Sequence, residues 1–237
     1  MTAGWAANAL SWWQEAGVDT LVAEEPRDWL RPAPKPSAAA AETISSFTAA
    51  EEELPGQLDL FHAWLASSDR LSFASPSAPR ICPAGDPASG LMILADMPNG
   101  EDCDAGTLIA GEAGRLFDRM LAAIGRDRNS VYLAALSCLR SPDGQLSSEP
   151  ARRCADLARH HVGLVAPRVL LLLGDSCAKA MLGLAVAQAR GRWHEVATHA
   201  GPVRTLVTMK PDFLLSQPAH KARAWADLQM PIEEVKS

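Results

Sequence analysis

Five consecutive branched aliphatic residues, Val169 to Leu173, lie between Pro167-Arg168 and Gly174-Asp175. A run this short with no polar face reads as a strand covered on both sides, the mark of a buried parallel sheet. Parallel strands require long crossover connections, usually helical. The chain supplies them. Strands are expected at residues 91–94, 130–136, 168–173 and 203–207, and helices at 53–67, 114–124, 150–166, 175–184 and 218–228. Pro150 suits a first helical position, and Gly174-Asp175-Ser176 offers capping oxygens. The alternation predicts an α/β class with a largely parallel sheet.

The remaining sequence divides the chain of 237 residues into three parts. Residues 1–30, with Trp5, Trp12, Trp13 and Trp29, read as an amphipathic helical segment suited to a protein partner. Residues 31–50 are rich in Pro, Ala and Ser, the composition of a linker, and the globular domain is expected over 51–230. Hydrophobic residues make up 48%, enough for a sizeable core. No run reaches the roughly 18 apolar residues of a membrane span. No basic region leads an apolar one at the N-terminus, so the cytoplasm is the expected compartment. Five cysteines without a Cys-x-x-Cys pair argue against a disulfide framework. A net charge of -6 disfavours strong nonspecific attraction to nucleic acid, while leaving room for a local basic face.

Three segments carry candidate chemistry, each where a strand ends and ligands of open α/β sheets bind. After the first strand, Gly111 and Gly114 allow close backbone approach ahead of a helix, for a phosphate or simply for packing. Glu101, Asp102 and Asp104 in the same loop either include a water-activating base or are solvated. After the second strand, Arg140 is placed to grip a phosphate. Cys138 and Cys154 lack the spacing of a zinc motif and read as buried thiols. After the last strand, Pro211 fixes a turn and Lys210 is either a nucleophile or cation of the site or an exposed structural lysine.

Together these segments resemble the family 4 uracil-DNA glycosylases, especially their alphaproteobacterial relatives. The resemblance rests on the gap-free block from Leu91 to Gly125, on Gly85-Asp86-Pro87, on Val165 to Gly174, on Arg190-Gly191-Arg192-Trp193 and on Phe213 to Lys221 with Trp225-Ala226-Asp227-Leu228. It implies an α/β/α three-layer sandwich with a central, mostly parallel four-stranded sheet and a site at the carboxyl ends of the strands. Members of this family flip uracil from DNA, stack it on an aromatic ring and read its polar edge.

Residue by residue, the family's Gly-Glu-Ala-Pro-Gly reads Ala95-Asp96-Met97-Pro98-Asn99 here, keeping Pro98 and a shortened carboxylate at Asp96. The family's next acid corresponds to Asp102. Its stacking Phe becomes Ile109, its edge-reading Asn becomes Ala135, and its leaving-group His becomes Lys210. The resemblance thus assigns Asp102, Lys210 and Asp96 to catalysis, and Pro98, Ile109 and Ala135 to the base pocket. Gly111, Arg140 and Pro211 are the expected DNA contacts. The family's iron–sulfur ligands should include cysteines near residues 67–71, where none occurs, so no cluster, metal or other cofactor is expected. The expected function is DNA-repair related, with uracil excision weakened or lost. The alternatives are an active glycosylase on uracil or another damaged base, and a non-catalytic module binding a protein partner; DNA is the expected ligand of the first two.

Overall fold

The computed structural model describes residues 54–75, 77–146 and 148–235. The expected helical segment 1–30 and linker 31–50 lie outside the described residues. In chain order the elements are α1 (Leu58–Ser67), β1 (Ala84–Gly85), β2 (Leu91–Ala95), α2 (Gly100–Ala105), α3 (Gly111–Ala123), β3 (Tyr132–Ala135), α4 (Ser148–Val165), β4 (Val169–Leu173), α5 (Asp175–Leu182), α6 (Val186–Ala189), β5 (His194–Thr198), β6 (Gly201–Thr208), α7 (Pro211–Ser216) and α8 (Lys221–Val235).

The sheet has strand order β1-β3-β2-β4-β6-β5. Its four inner strands are parallel, pairing Ile93 with Leu133 and with Leu171, and Leu171 with Leu206. These are the four expected strands. The sheet is nevertheless six strands wide, because β1 and β5 add antiparallel edges. The edges are short or half-polar: β1 is exposed, and β5 buries only Val196.

The alternation of side chains across a strand divides the core into two layers. Leu91, Ile93, Leu133, Val169, Leu171 and Leu206 face α3 through Phe117 and Leu121, with Leu228 of α8 beside them. Met92, Leu94, Tyr132, Leu170, Leu172 and Val207 face α4 and α5 through Ala158, Val162, Cys177 and Met181. Both faces of the sheet are therefore covered, giving the three-layer α/β/α sandwich.

Helix α1 packs separately, burying Phe61 and Leu65 with Leu71, Cys138 and Leu139. A buried polar chain joins it to the sheet: the Tyr132 hydroxyl lies 2.5 Å from His62 Nε2 and 2.8 Å from His161 Nε2. The hydroxyl has one proton, so it donates to one imidazole and accepts from the other. Burial lowers both imidazoles, His161 to about 3, and raises the Tyr132 phenol. No described helix is long and apolar enough to cross a membrane.

Candidate active site

The chain leaves β2 towards β3 on one side and leaves β4 towards β6 on the other, so a crevice opens where the strand order reverses. Asp96, directly after β2, and Ser176, in the first turn of α5, meet across it. Ser176 Oγ donates to Asp96 Oδ2 at 2.7 Å. Asp96 Oδ1 is buried and has no hydrogen-bond partner among the described residues. The expected capping role of Asp175 and Ser176 is not what forms here. Gly174 is the N-cap without a side-chain bond, Ser176 turns to Asp96, and Asp175 accepts from the Val186 amide at 3.0 Å and pairs with Lys179.

Beside this pair lies a cavity of about 150 Å³ lined by Asp96, Pro98, Asp102, Ile109, Arg140, Lys210 and Pro211, among others. The fold thus gathers seven of the nine residues singled out from the sequence. Lys210 is exposed and begins α7 as its N-cap, with Pro211 at the first helical position. Its side chain lies over Gly174, whose missing Cβ would come within 3.3 Å of Lys210 Cβ. Gly174 also has φ +88°, which a side chain rarely adopts. Arg140 approaches the start of α2, where a Cβ on Gly100 would lie 2.9 Å from its Nη1. A second, open cavity of about 730 Å³ shares Asp96, Met97, Gly144 and Lys210 with the first.

Asp102 serves the backbone. Its Oδ2 accepts the Asn99 amide at 3.0 Å while Asn99 Oδ1 accepts the Asp102 amide at 2.9 Å, a reciprocal capping box on α2. Its Oδ1 accepts the Ala110 amide at 2.6 Å. It is therefore buried and bonded at both oxygens, not solvated. Ile109 stands beside it at φ +54°, an outlier for a β-branched residue. The Arg128 guanidinium fixes that conformation, donating to the Leu108 and Ile109 carbonyls at 2.7 Å each and to Asp118 at 2.6 Å.

Two expected residues stand apart. Ala135 pairs with Ala95 across the sheet but lines a separate gap of about 30 Å³ with Phe61, Leu71, Cys138 and Cys154. Gly111, at φ +60°, packs against Glu101 instead of lining the cavity. Sequence reasoning missed Ser176 as a partner of Asp96, and Arg128, whose long-range bonds leave no local signature.

The gap beside Ala135 bears on the iron–sulfur cluster implied by family 4. A four-iron cluster needs about four thiolate ligands. Two cysteines, Cys138 and Cys154, are among the residues that line this gap, amid Phe61, Leu65, Leu71 and Leu157. Burial pushes the Cys138 thiol up to about 11 and raises Cys154 as well, favouring neutral thiols. No group of three or more His, Cys, Asp or Glu side chains converges among the described residues. The residues present do not fit the cluster.

A covered parallel sheet with a carboxylate and a lysine lining a cavity at its strand ends defines an α/β protein with a candidate ligand site. The model of the Uracil DNA glycosylase superfamily matches residues 82–229, and the chain belongs to that superfamily. Two relatives place it near the family 4 branch. The type-4 uracil-DNA glycosylase of Pyrobaculum aerophilum is 26% identical over 153 residues, covering 62% of this chain and 78% of that protein. The type-4 uracil-DNA glycosylase of Archaeoglobus fulgidus is 23% identical over 141 residues, covering 56% and 71%.

Proposed function

We propose that this protein is a divergent DNA-base glycosylase that admits an extruded base to the strand-end cavity and hydrolyses the base–sugar bond, with uracil excision weakened. Asp96 carries the reading. A buried carboxylate oxygen without a donor costs about 1–3 kcal/mol or more, and a water or substrate group bonding to it removes that cost. Asp96, held by Ser176, orients the water that attacks the sugar carbon and accepts the proton that this water gives up as its C–O bond forms. The bonding pair of the base–sugar bond leaves with the base, and Lys210 stabilises the resulting anion. Arg140 holds a flanking phosphate. Uracil selectivity is weak because Ile109 offers no aromatic face and Ala135 neither lines the cavity nor carries an amide. The domain works without an iron–sulfur cluster, and purified protein should lack a broad absorbance band near 400 nm.

The test is single-turnover cleavage of oligonucleotides carrying uracil, hypoxanthine or xanthine. Cleavage of one of them, lost in both Asp96→Asn and Lys210→Ala, is the expected result. No cleavage of any substrate overturns it. That outcome favours the second reading, a non-catalytic DNA- or protein-binding descendant, which the capping role of Asp102 supports: the carboxylate aligned with the family's base is bonded to two backbone amides of its own loop, those of Asn99 and Ala110. Segment 1–30 would then supply the contact to a protein partner.

A further inference from the structure

A further cavity, of about 420 Å³, shares Lys210 with the first cavity and is not lined by Asp96. Val186, Ala187, Met209 and Phe213 form its apolar walls, with Lys210 and Arg223 among its cations. Phe213 is 38% exposed, one of three large hydrophobic side chains so placed among the described residues. Its ring packs on His220 at 5.2 Å between centroids, and the buried Nδ1 of His220 has no hydrogen-bond partner among the described residues. The charges here are unequal in availability. Arg190 is committed to Asp227, and Asp175 to Lys179. Lys210 and Arg223 have no ion-pair partner among the described residues. The cavity is therefore lined by an aromatic ring, by a histidine whose buried Nδ1 lacks a partner among the described residues, and by two cations without an ion-pair partner among them.

We propose that this cavity binds a second, unpaired nucleobase of the same strand whose extruded base enters the first cavity. Phe213 stacks on the base, His220 Nδ1 bonds its polar edge, and Lys210 and Arg223 hold the connecting phosphates. Lys210 dictates the single strand: it lines both cavities, so a phosphate linking their two occupants passes over it. A flat ring with a polar rim and an anionic tether suits these walls, whereas a purely apolar occupant would leave His220 and both cations unmatched. The inference rests on the proposed entry of a base into the first cavity, and its test separates the two.

Equilibrium binding is measured by fluorescence anisotropy at about 100 mM salt, where phosphate contacts still contribute. The probe is a short single strand carrying one 2′-fluoro-2′-deoxyuridine, which resists cleavage. Replacing the base on one side of it by an abasic tetrahydrofuran should weaken binding about tenfold, the scale of one base–aromatic stack. Replacement on the other side should have little effect. Phe213→Ala should weaken the intact strand by the same factor and abolish the difference between the sides. Ala187→Trp, at an exposed position where it fills the cavity without touching the core, should do likewise. Equal loss from either side, no strand binding, or an asymmetry that survives both variants overturns the proposal. A strand whose uridine itself is made abasic reports separately: no loss there, with the flanking asymmetry intact, refutes entry into the first cavity alone.

Discussion

Asp102 and Ala110 are joined by a 2.6 Å hydrogen bond from the Ala110 amide to a carboxylate that is 4% exposed. This bond draws the end of the segment after α2 back onto its first turn and sets Ile109 into the cavity wall. Removing the carboxylate leaves buried amides at Asn99 and Ala110 without acceptors, at about 1–3 kcal/mol each. Asp102→Ala should therefore lower unfolding stability by about 3 kcal/mol, and Asp102→Asn, which keeps one acceptor, by less. Urea denaturation checks this. An Asp102→Ala midpoint equal to that of the parent protein would show that the loop is held by other contacts.

Two glycines one turn apart should respond differently to alanine. Gly111 has φ +60°, and the atoms nearest a new Cβ are the mobile end of Glu101. Gly111→Ala should cost about 1–2 kcal/mol, the strain of a side chain in the left-handed region. Gly114 lies inside α3, where alanine is normally favoured by about 1 kcal/mol. Its Cβ would instead collide with the Ile109 carbonyl, which Arg128 holds in place. Gly114→Ala should thus be the more damaging change, by more than 1 kcal/mol in thermal or chemical denaturation.

The sandwich was legible because Val169–Leu173 and Leu91–Ala95 are apolar at every position, which only two covered faces allow. β5 was not, since His194, Glu195 and Thr198 leave Val196 alone on the core side. The capping box was readable in principle from Asn99 and Asp102 at the right spacing, yet three nearby acids invited a solvated reading. Most of the candidate site's lining was legible through family register: Asp96, Pro98, Ile109 and Lys210, singled out by that alignment, line one cavity. Ala135 was placed by that register but not by geometry: it packs on the same core layer as Ala95 and Ile109, yet the space it borders is the separate gap beside Cys138 and Cys154. The Ser176–Asp96 bond spans 80 residues and leaves no periodic trace.

Acid should weaken the fold through the histidines of the α1 contact. His161 is buried, and its imidazole falls from an ordinary 6.5 to about 3; burial lowers His62 too. Between pH 6.5 and about 3 the unfolded chain binds a proton at residue 161 that the native state refuses. Stability is therefore present above pH 6.5 and falls as pH falls, by up to about 1.4 kcal/mol per pH unit for one such group. His161→Gln cannot titrate and still offers Tyr132 a partner. Its stability-versus-pH curve should be flatter by about one proton over this window. An unchanged slope would mean that other groups carry the acid sensitivity.

Asp227 ties α8 to the end of the strand that delivers Lys210. It is 1% exposed, accepts from Arg190 Nε at 3.1 Å and Nη2 at 2.9 Å, and accepts from Thr208 Oγ1 at 3.0 Å. Burial raises its carboxyl above the ordinary 3.8, against the opposing pull of Arg190 and Thr208. The native state thus binds this proton more readily than the unfolded chain. The corresponding stability is present below pH 3.8 and is lost as pH rises through the native value. Arg190→Ala strips the main opposing charge and leaves a buried carboxylate unpaired, at about 3–5 kcal/mol near neutrality. The same removal raises the carboxyl further, so the variant escapes part of the cost by protonating. Denaturation at pH 7 and pH 4.5 should show the Arg190→Ala deficit shrinking in acid, and Asp227→Asn in the Arg190→Ala background should remove the pH dependence of that deficit. A deficit constant across both pH values would show that Arg190 stabilises by packing and its Arg223 carbonyl bond, with the charge of Asp227 irrelevant.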